Sequence, residues 1–173
     1  MKAIPPANAR IQQLIPGSYF HDAWSVQAGD PGLSALGQFL KAIAATPTWV
    51  NHSMALRNHV VEKLGLKNLG GLGAFDPDKT EDTYQPGDRV GIFTLFEQTF
   101  DEVLLGDKDK HLDVTLSVHR QAFASGSVQV TVTTVVHVNN ALGRLYMLPV
   151  APMHRLIAPT VLRAVARDRK SVV

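Results

Sequence analysis

The stretch that most restricts the fold is Ser127-Val-Gln-Val-Thr-Val-Thr-Thr-Val-Val-His-Val138. Successive side chains of a strand point to opposite sides, so Val128, Val130, Val132, Val136 and Val138 share one face. A strand this long needs hydrogen-bonded neighbours and a layer to cover its valines. Immediately downstream, from Asn139-Asn-Ala-Leu-Gly-Arg-Leu-Tyr146 to about Arg169, the spacing becomes helical. A long half-buried strand that feeds a C-terminal helix predicts a curved antiparallel sheet wrapped on that helix, with a pocket between the layers.

The upstream elements agree. Ser18 to Gln27 reads as a first strand, stopped by Ala28-Gly-Asp-Pro-Gly32. Leu33 to Ala45 and Trp49 to Leu64 carry apolar residues at helical spacing and are divided by Thr46-Pro47, with Gly65 placed as a C-cap. Asn68 to Gln85, glycine-rich and acidic, reads as a surface loop. Then come strand-like runs at Arg89 to Glu97, Glu102 to Leu105 and His111 to Arg120. In the last of these Leu112, Val114, Leu116 and Val118 face one way, and Asp113, Thr115, Ser117 and His119 the other. Such hairpins leave one face buried and one polar. Pro149, Pro152 and Pro159 fall inside the final helical region. An interior proline costs about 3 kcal/mol, which predicts a short helix near Leu142 to Leu148, a break, and a second segment from Pro152, kinked or divided at Pro159.

The 173 residues fit a single domain spanning 1–173, with 1–16 lying loosely along its surface. There is no cysteine, which excludes disulfides, thiolate metal sites and cysteine nucleophiles. No apolar run reaches the ~18 residues of a membrane span, and the first residues lack the apolar centre of a signal peptide. A cytoplasmic protein that does not cross a membrane is therefore expected. The net charge of +2 conceals an asymmetry: eleven of the fifteen acids lie between Asp76 and Asp113. From Ala141 onward, Arg144, Arg155, Arg163, Arg167, Arg169 and Lys170 stand against Asp168 alone. A basic helical tail could touch nucleic acid or anionic lipid, but solvated positions opposite an apolar stripe account for it, and nucleic acid is not expected as a partner.

No nucleophile elbow, phosphate loop or dinucleotide fingerprint is present, and Gly70-Gly-Leu-Gly73 lacks the helix and lysine that a phosphate cradle requires. Asp113 and His119, six residues apart, stand about 20 Å apart along a strand, too far to share an ion; only a His119–His137 pairing across strands stays open, and neither metal nor cofactor is expected. His111 and Asp113 point the same way, suited to anchoring an arginine such as Arg57 or Arg144, or to acid–base work at a pocket mouth. His154 on the final helix, near Tyr146, is placed either to orient a ligand or to cap broken backbone. Trp49, Phe93, Phe96 and Tyr146 are core residues or pocket walls.

Several runs together carry a family resemblance. They are Trp49-Val50, Leu56-Arg-Asn58, Leu64-Gly-Leu-Lys67, Leu105-Gly-Asp-Lys-Asp-Lys-His-Leu-Asp113, Val130 to His137, Leu142-Gly-Arg-Leu-Tyr146, Pro152-Met-His-Arg-Leu-Ile157 and Leu162-Arg163. From about Tyr19 to Arg167 the chain resembles the bacterial family known as domain of unknown function 2867. That family is in turn similar to the helix-grip, START-like superfamily of lipid-transfer, polyketide-cyclase and pollen-allergen proteins. The resemblance implies a strand, two helices, an antiparallel sheet and a long final helix gripped by the sheet. About five strands are legible here where the superfamily usually has seven, and its last helix lacks these prolines. It implies a fold and no reaction.

The resulting expectation is an α+β helix-grip domain with five to seven strands. A small hydrophobic or amphipathic ligand would bind between sheet and final helix, with Arg57, Asp113, Tyr146 and His154 as orienting groups and Trp49 and Phe93 as walls. The alternatives are a cyclase, dehydratase or isomerase using His154, or His111 with Asp113, as acid–base groups, and an interaction module using the basic C-terminal helix.

Overall fold

The computed structural model describes residues 1–63 and 79–167, with residues 60–63 described by their backbone. The expected cap at Gly65, the Gly70–Gly73 run and most of the acidic loop lie outside the described residues. In chain order the elements are β1 (Phe20–Gln27), α1 (Ala35–Ala44), α2 (Thr48–Lys63), β2 (Arg89–Val90), β3 (Phe93–Gln98), β4 (Glu102–Lys108), β5 (Leu112–Ala122), β6 (Val128–Val138) and α3 (Ala141–Leu162). A 3₁₀ turn, Arg163–Ala166, continues α3. The strands form one antiparallel sheet in the order β1-β6-β5-β4-β3-β2. This is the α+β architecture anticipated, with two helices after the first strand and a long helix after the last.

The register confirms the alternation. Trp24 pairs with Val132 and Val132 with Val118, so β1, β6 and β5 present one continuous apolar face. Leu116 and Val118 extend it to Leu105 and Val103 on β4. The helices cover this face. Leu36, Phe39 and Ile43 of α1, Val50 of α2 and Leu162 and Val165 at the chain's far end join one core with Leu95, Leu105, Val118 and Val130. The Ser34 hydroxyl caps α1 by accepting from the Gly37 amide at 3.0 Å.

Two expectations need correction. Arg89 to Glu97 is not one strand: Gly91, at φ 61°, turns the chain so that Val90 pairs with Phe93 and Arg89 with Thr94. Only glycine adopts that conformation without steric cost. The final region does not break at its prolines either; α3 is continuous from Ala141 to Leu162 through Pro149, Pro152 and Pro159. The reason is geometric. Each proline removes a donor to the carbonyl four residues earlier. The carbonyls so released belong to Leu145, Leu148 and Arg155, all exposed residues on the outer side of the helix. A helix gently convex toward solvent tolerates such losses on its outer side.

The opposite face of the sheet is not simply solvated. Residues 1–16, expected to lie loosely, place Ile11 and Ala9 against Leu104 and Val135. Beneath this cover Ser117 and Thr133 are fully buried and His119 is 4% exposed. Glu102 accepts from the Ser117 hydroxyl at 2.7 Å and from the Arg10 amide at 2.9 Å. The first residues also lie along β1, with Ala3 N donating to Ala23 O and Ser25 N to Met1 O, both at 2.8 Å. That pairing covers an otherwise open sheet edge.

Candidate functional site

The side chains that bear on function stand where α3 crosses β1 and β6. Alternation along β1 puts Phe20, Asp22, Trp24 and Val26 on the helix-covered face. Asp22 is 8% exposed. Its Oδ1 receives His154 Nε2 at 3.0 Å and its Oδ2 receives Trp24 Nε1 at 3.0 Å. Phe20 meets the His154 ring edge-on at 5.7 Å, and Arg155 lies over the Phe20 ring at 5.7 Å. Burial alone would raise the Asp22 pKa. The bond and charge of His154, the Trp24 bond and the charge of Arg155 outweigh it and hold the carboxyl below its ordinary value of 3.8. An ionised carboxylate thus sits under the helix. Thr134, directly across the strands from Asp22, is buried with its hydroxyl unpartnered among the described residues.

A second polar contact joins α2 to α3. Arg57 Nε donates to the Tyr146 hydroxyl at 2.8 Å, and the guanidinium lies 5.3 Å from that ring's centre. Its Nη1 also donates to Asn58 Oδ1 at 2.8 Å. Between these two polar clusters the apolar surface is incompletely covered. Val132 lies second from the sheet edge, flanked by Trp24 and Val118, yet it remains partly exposed while Val118 and Val130 are buried. Trp24, Phe93, Met54, Ile157 and Val161 are likewise only partly buried where they pack on the core. Val114, Tyr146 and Val150 behave the same way further along α3. These partly exposed apolar residues lie on the helix-facing side of the sheet, beside α2 and α3.

Of the residues singled out in the sequence, Phe93 stands on the helix-covered face of the sheet, and Arg57, Tyr146 and His154 on α2 and α3. Phe93 packs against Phe39, ring centres 6.1 Å apart. Trp49, near the start of α2, is 43% exposed. Asp113 pairs with His137 on the opposite face of the sheet, where Asn139 approaches it at 3.4 Å. His111 stands in the turn before β5 within 3.2 Å of Asn140, the residue that caps α3 by accepting from the Gly143 amide at 3.1 Å. His111 and Asp113 therefore do not converge with His154. The strand register also separates the histidines, His119 facing Thr131 and His137 facing Asp113. Sequence reasoning missed Asp22, although the signal was present: a carboxylate at every-second-residue spacing among Phe20, Trp24 and Val26.

A separate open hollow of ≈ 280 Å³ lies at the end of β1 and β6, lined by Met1, Gln27, Phe123 and Gln129 among others. It shares neither polar cluster. Among the described residues no helix is long and apolar enough to cross a membrane.

An antiparallel sheet with a long C-terminal helix across one face, and an ionised carboxylate held beneath that helix, defines the class: an α+β sheet-and-helix protein. The profile of the family described as "Protein of unknown function (DUF2867)" matches residues 14–161, and the chain belongs to that family. A comparison with curated proteins finds no match.

Proposed function

We propose that this protein binds a small hydrophobic or amphipathic molecule in the cleft between the sheet, α2 and α3. The observation that carries the reading is the partial exposure of Val132 and its neighbour Trp24, and of Phe93 further across the sheet, on a face whose other residues form the core. Apolar surface left open inside a fold is unfavourable unless something covers it, and ligand sites are typically concave, apolar and furnished with a few polar groups. Here those groups are Arg57 with Tyr146 at one end and His154 with Asp22 at the other. A ligand with an apolar body and a polar or anionic head matches that distribution. Trp49 and Asp113 stay outside this reading.

The paired Asp22 and His154 favour a second reading, a cyclase, dehydratase or isomerase reaction. A carboxylate that fixes one imidazole nitrogen leaves the other to move a proton. Both readings require occupancy of the same cleft, and binding is the simpler conclusion.

Native mass spectrometry of freshly purified protein tests it. A co-purified small molecule is expected, together with saturable uptake of a fluorescent apolar probe that the natural ligand displaces. Absence of both a retained molecule and saturable uptake would refute the proposal. His154→Ala separates the roles: unchanged retention would remove His154 from the orienting set.

A further inference from the structure

We infer that the outer face of α3 docks on the surface of an anionic phospholipid bilayer. The leucines of α3 that point away from the cleft are strongly exposed: Leu145 at 58%, Leu148 at 65% and Leu156 at 59%. With the exposed Pro149 and Pro152 they recur every three or four residues, a single stripe about 16 Å long on a helix rising 1.5 Å per residue. The inner face carries Met147, Val150, Ala151 and Ile157 against the sheet. The helix is thus apolar on both sides, and packing within the chain explains only one of them. A row of exposed large side chains on a soluble element marks a contact surface.

Charge selects the occupant. Between Ala141 and Arg167 there is no acid, and the charged residues are Arg144, Arg155, Arg163 and Arg167, all exposed. Arg144 stands next to Leu145 and Arg163 follows Leu156 by seven residues, about two turns, so both border the leucine stripe, while Arg155 turns over the Phe20 ring. Leucines bordered by arginines suit a helix lying in the interface, with side chains in the acyl boundary and guanidinium groups at the phosphates. A second copy fits poorly. A two-fold contact through this face sets arginine against arginine with no carboxylate on either helix to offset the repulsion. The outward prolines are compatible with shallow docking, because the carbonyls they release remain at a depth where water and headgroups reach them. This inference does not depend on the cleft, since the stripe faces away from it.

The test is sedimentation of the full chain with vesicles of phosphatidylcholine alone and of phosphatidylcholine containing phosphatidylglycerol. Binding to the anionic vesicles, weakened by salt, is expected. The double variant Leu148→Glu/Leu156→Glu should lower partitioning by at least on the order of 100-fold. Its melting temperature and probe uptake by the cleft should be unchanged. Arg144→Gln with Arg163→Gln should lower partitioning by about fivefold per charge. Absence of vesicle binding at low salt would overturn the inference, as would binding that persists in the leucine double variant. A dimer seen by light scattering and dissolved by Leu148→Glu/Leu156→Glu would also overturn it, by showing that a second copy covers the face.

Discussion

Asp22 is buried, ionised and held by two donors, and its energetics follow from that combination. His154 Nε2 donates to it at 3.0 Å whether the ring is charged or a neutral Nε2–H tautomer. Because the carboxylate is favoured in the folded chain, Asp22 contributes stability that is fully present above the ordinary value of 3.8 and is lost as pH falls through the lower folded value. Urea denaturation of the wild type and Asp22→Asn across the acid range should therefore give a stability difference that is full above about pH 4 and shrinks as pH falls below it. Exposed carboxylates such as Asp88, held low by Lys79, contribute equally to both proteins and cancel in the difference. Parallel curves across that range would show that the ion pair is energetically silent. On the outer face, Glu102→Ala leaves the fully buried Ser117 hydroxyl without its acceptor and should cost about 1–3 kcal/mol at neutral pH. His154, Arg57 and Tyr146 were recognisable as polar groups in the sequence. Asp22 was not linked to His154 because they lie 132 positions apart, and only the packing of α3 on β1 joins them.

Elements were more legible than contacts. The valine alternation of β6 specified both the strand and its buried face, since a period of two cannot be satisfied by a helix. Composition also revealed α1 and α2, which are bounded by Pro47 and a serine cap. The errors arose where a local rule met a tertiary circumstance. Gly91 looked like an interior strand residue until its φ of 61° made it a turn. The prolines of α3 looked like breaks, because their cost was assessed without knowing that the carbonyls they release belong to exposed residues. That account predicts the effect of Pro149→Ala. Alanine restores a donor for the Leu145 carbonyl, and the gain exceeds the roughly 0.4–1 kcal/mol by which proline restricts the unfolded chain. Stability should rise by about 1–2 kcal/mol in urea titration; a loss would overturn that account. The start of α3 is far less tolerant. A Cβ on Gly143 would stand 2.3 Å from the His111 carbonyl oxygen, so Gly143→Ala should destabilise by about 1–3 kcal/mol.

For the molecule as a whole, α3 separates two environments: an inner face bordering the cleft and an outer face of leucines and arginines. The two tryptophans permit each side to be read independently. Trp24 lies in the cleft, with its indole bonded to Asp22, whereas Trp49 is an exposed residue at the start of α2. Trp49→Phe removes little buried surface and leaves Trp24 as the sole indole, so its emission reports on the cleft. An apolar ligand that displaces water from Val132 and Trp24 should shift this emission to shorter wavelength and saturate at one molecule per chain. Anionic vesicles without ligand should leave the emission unchanged while sedimenting the protein, because docking through Leu148 and Leu156 buries the opposite side of the helix. A Trp24 shift on vesicle binding alone would contradict this separation: either lipid enters the cleft directly, or α3 moves relative to β1 when it docks. Adding Leu148→Glu/Leu156→Glu to the single-tryptophan chain distinguishes these cases. Soluble ligand should still shift Trp24 in that variant, and a shift produced by docking should disappear.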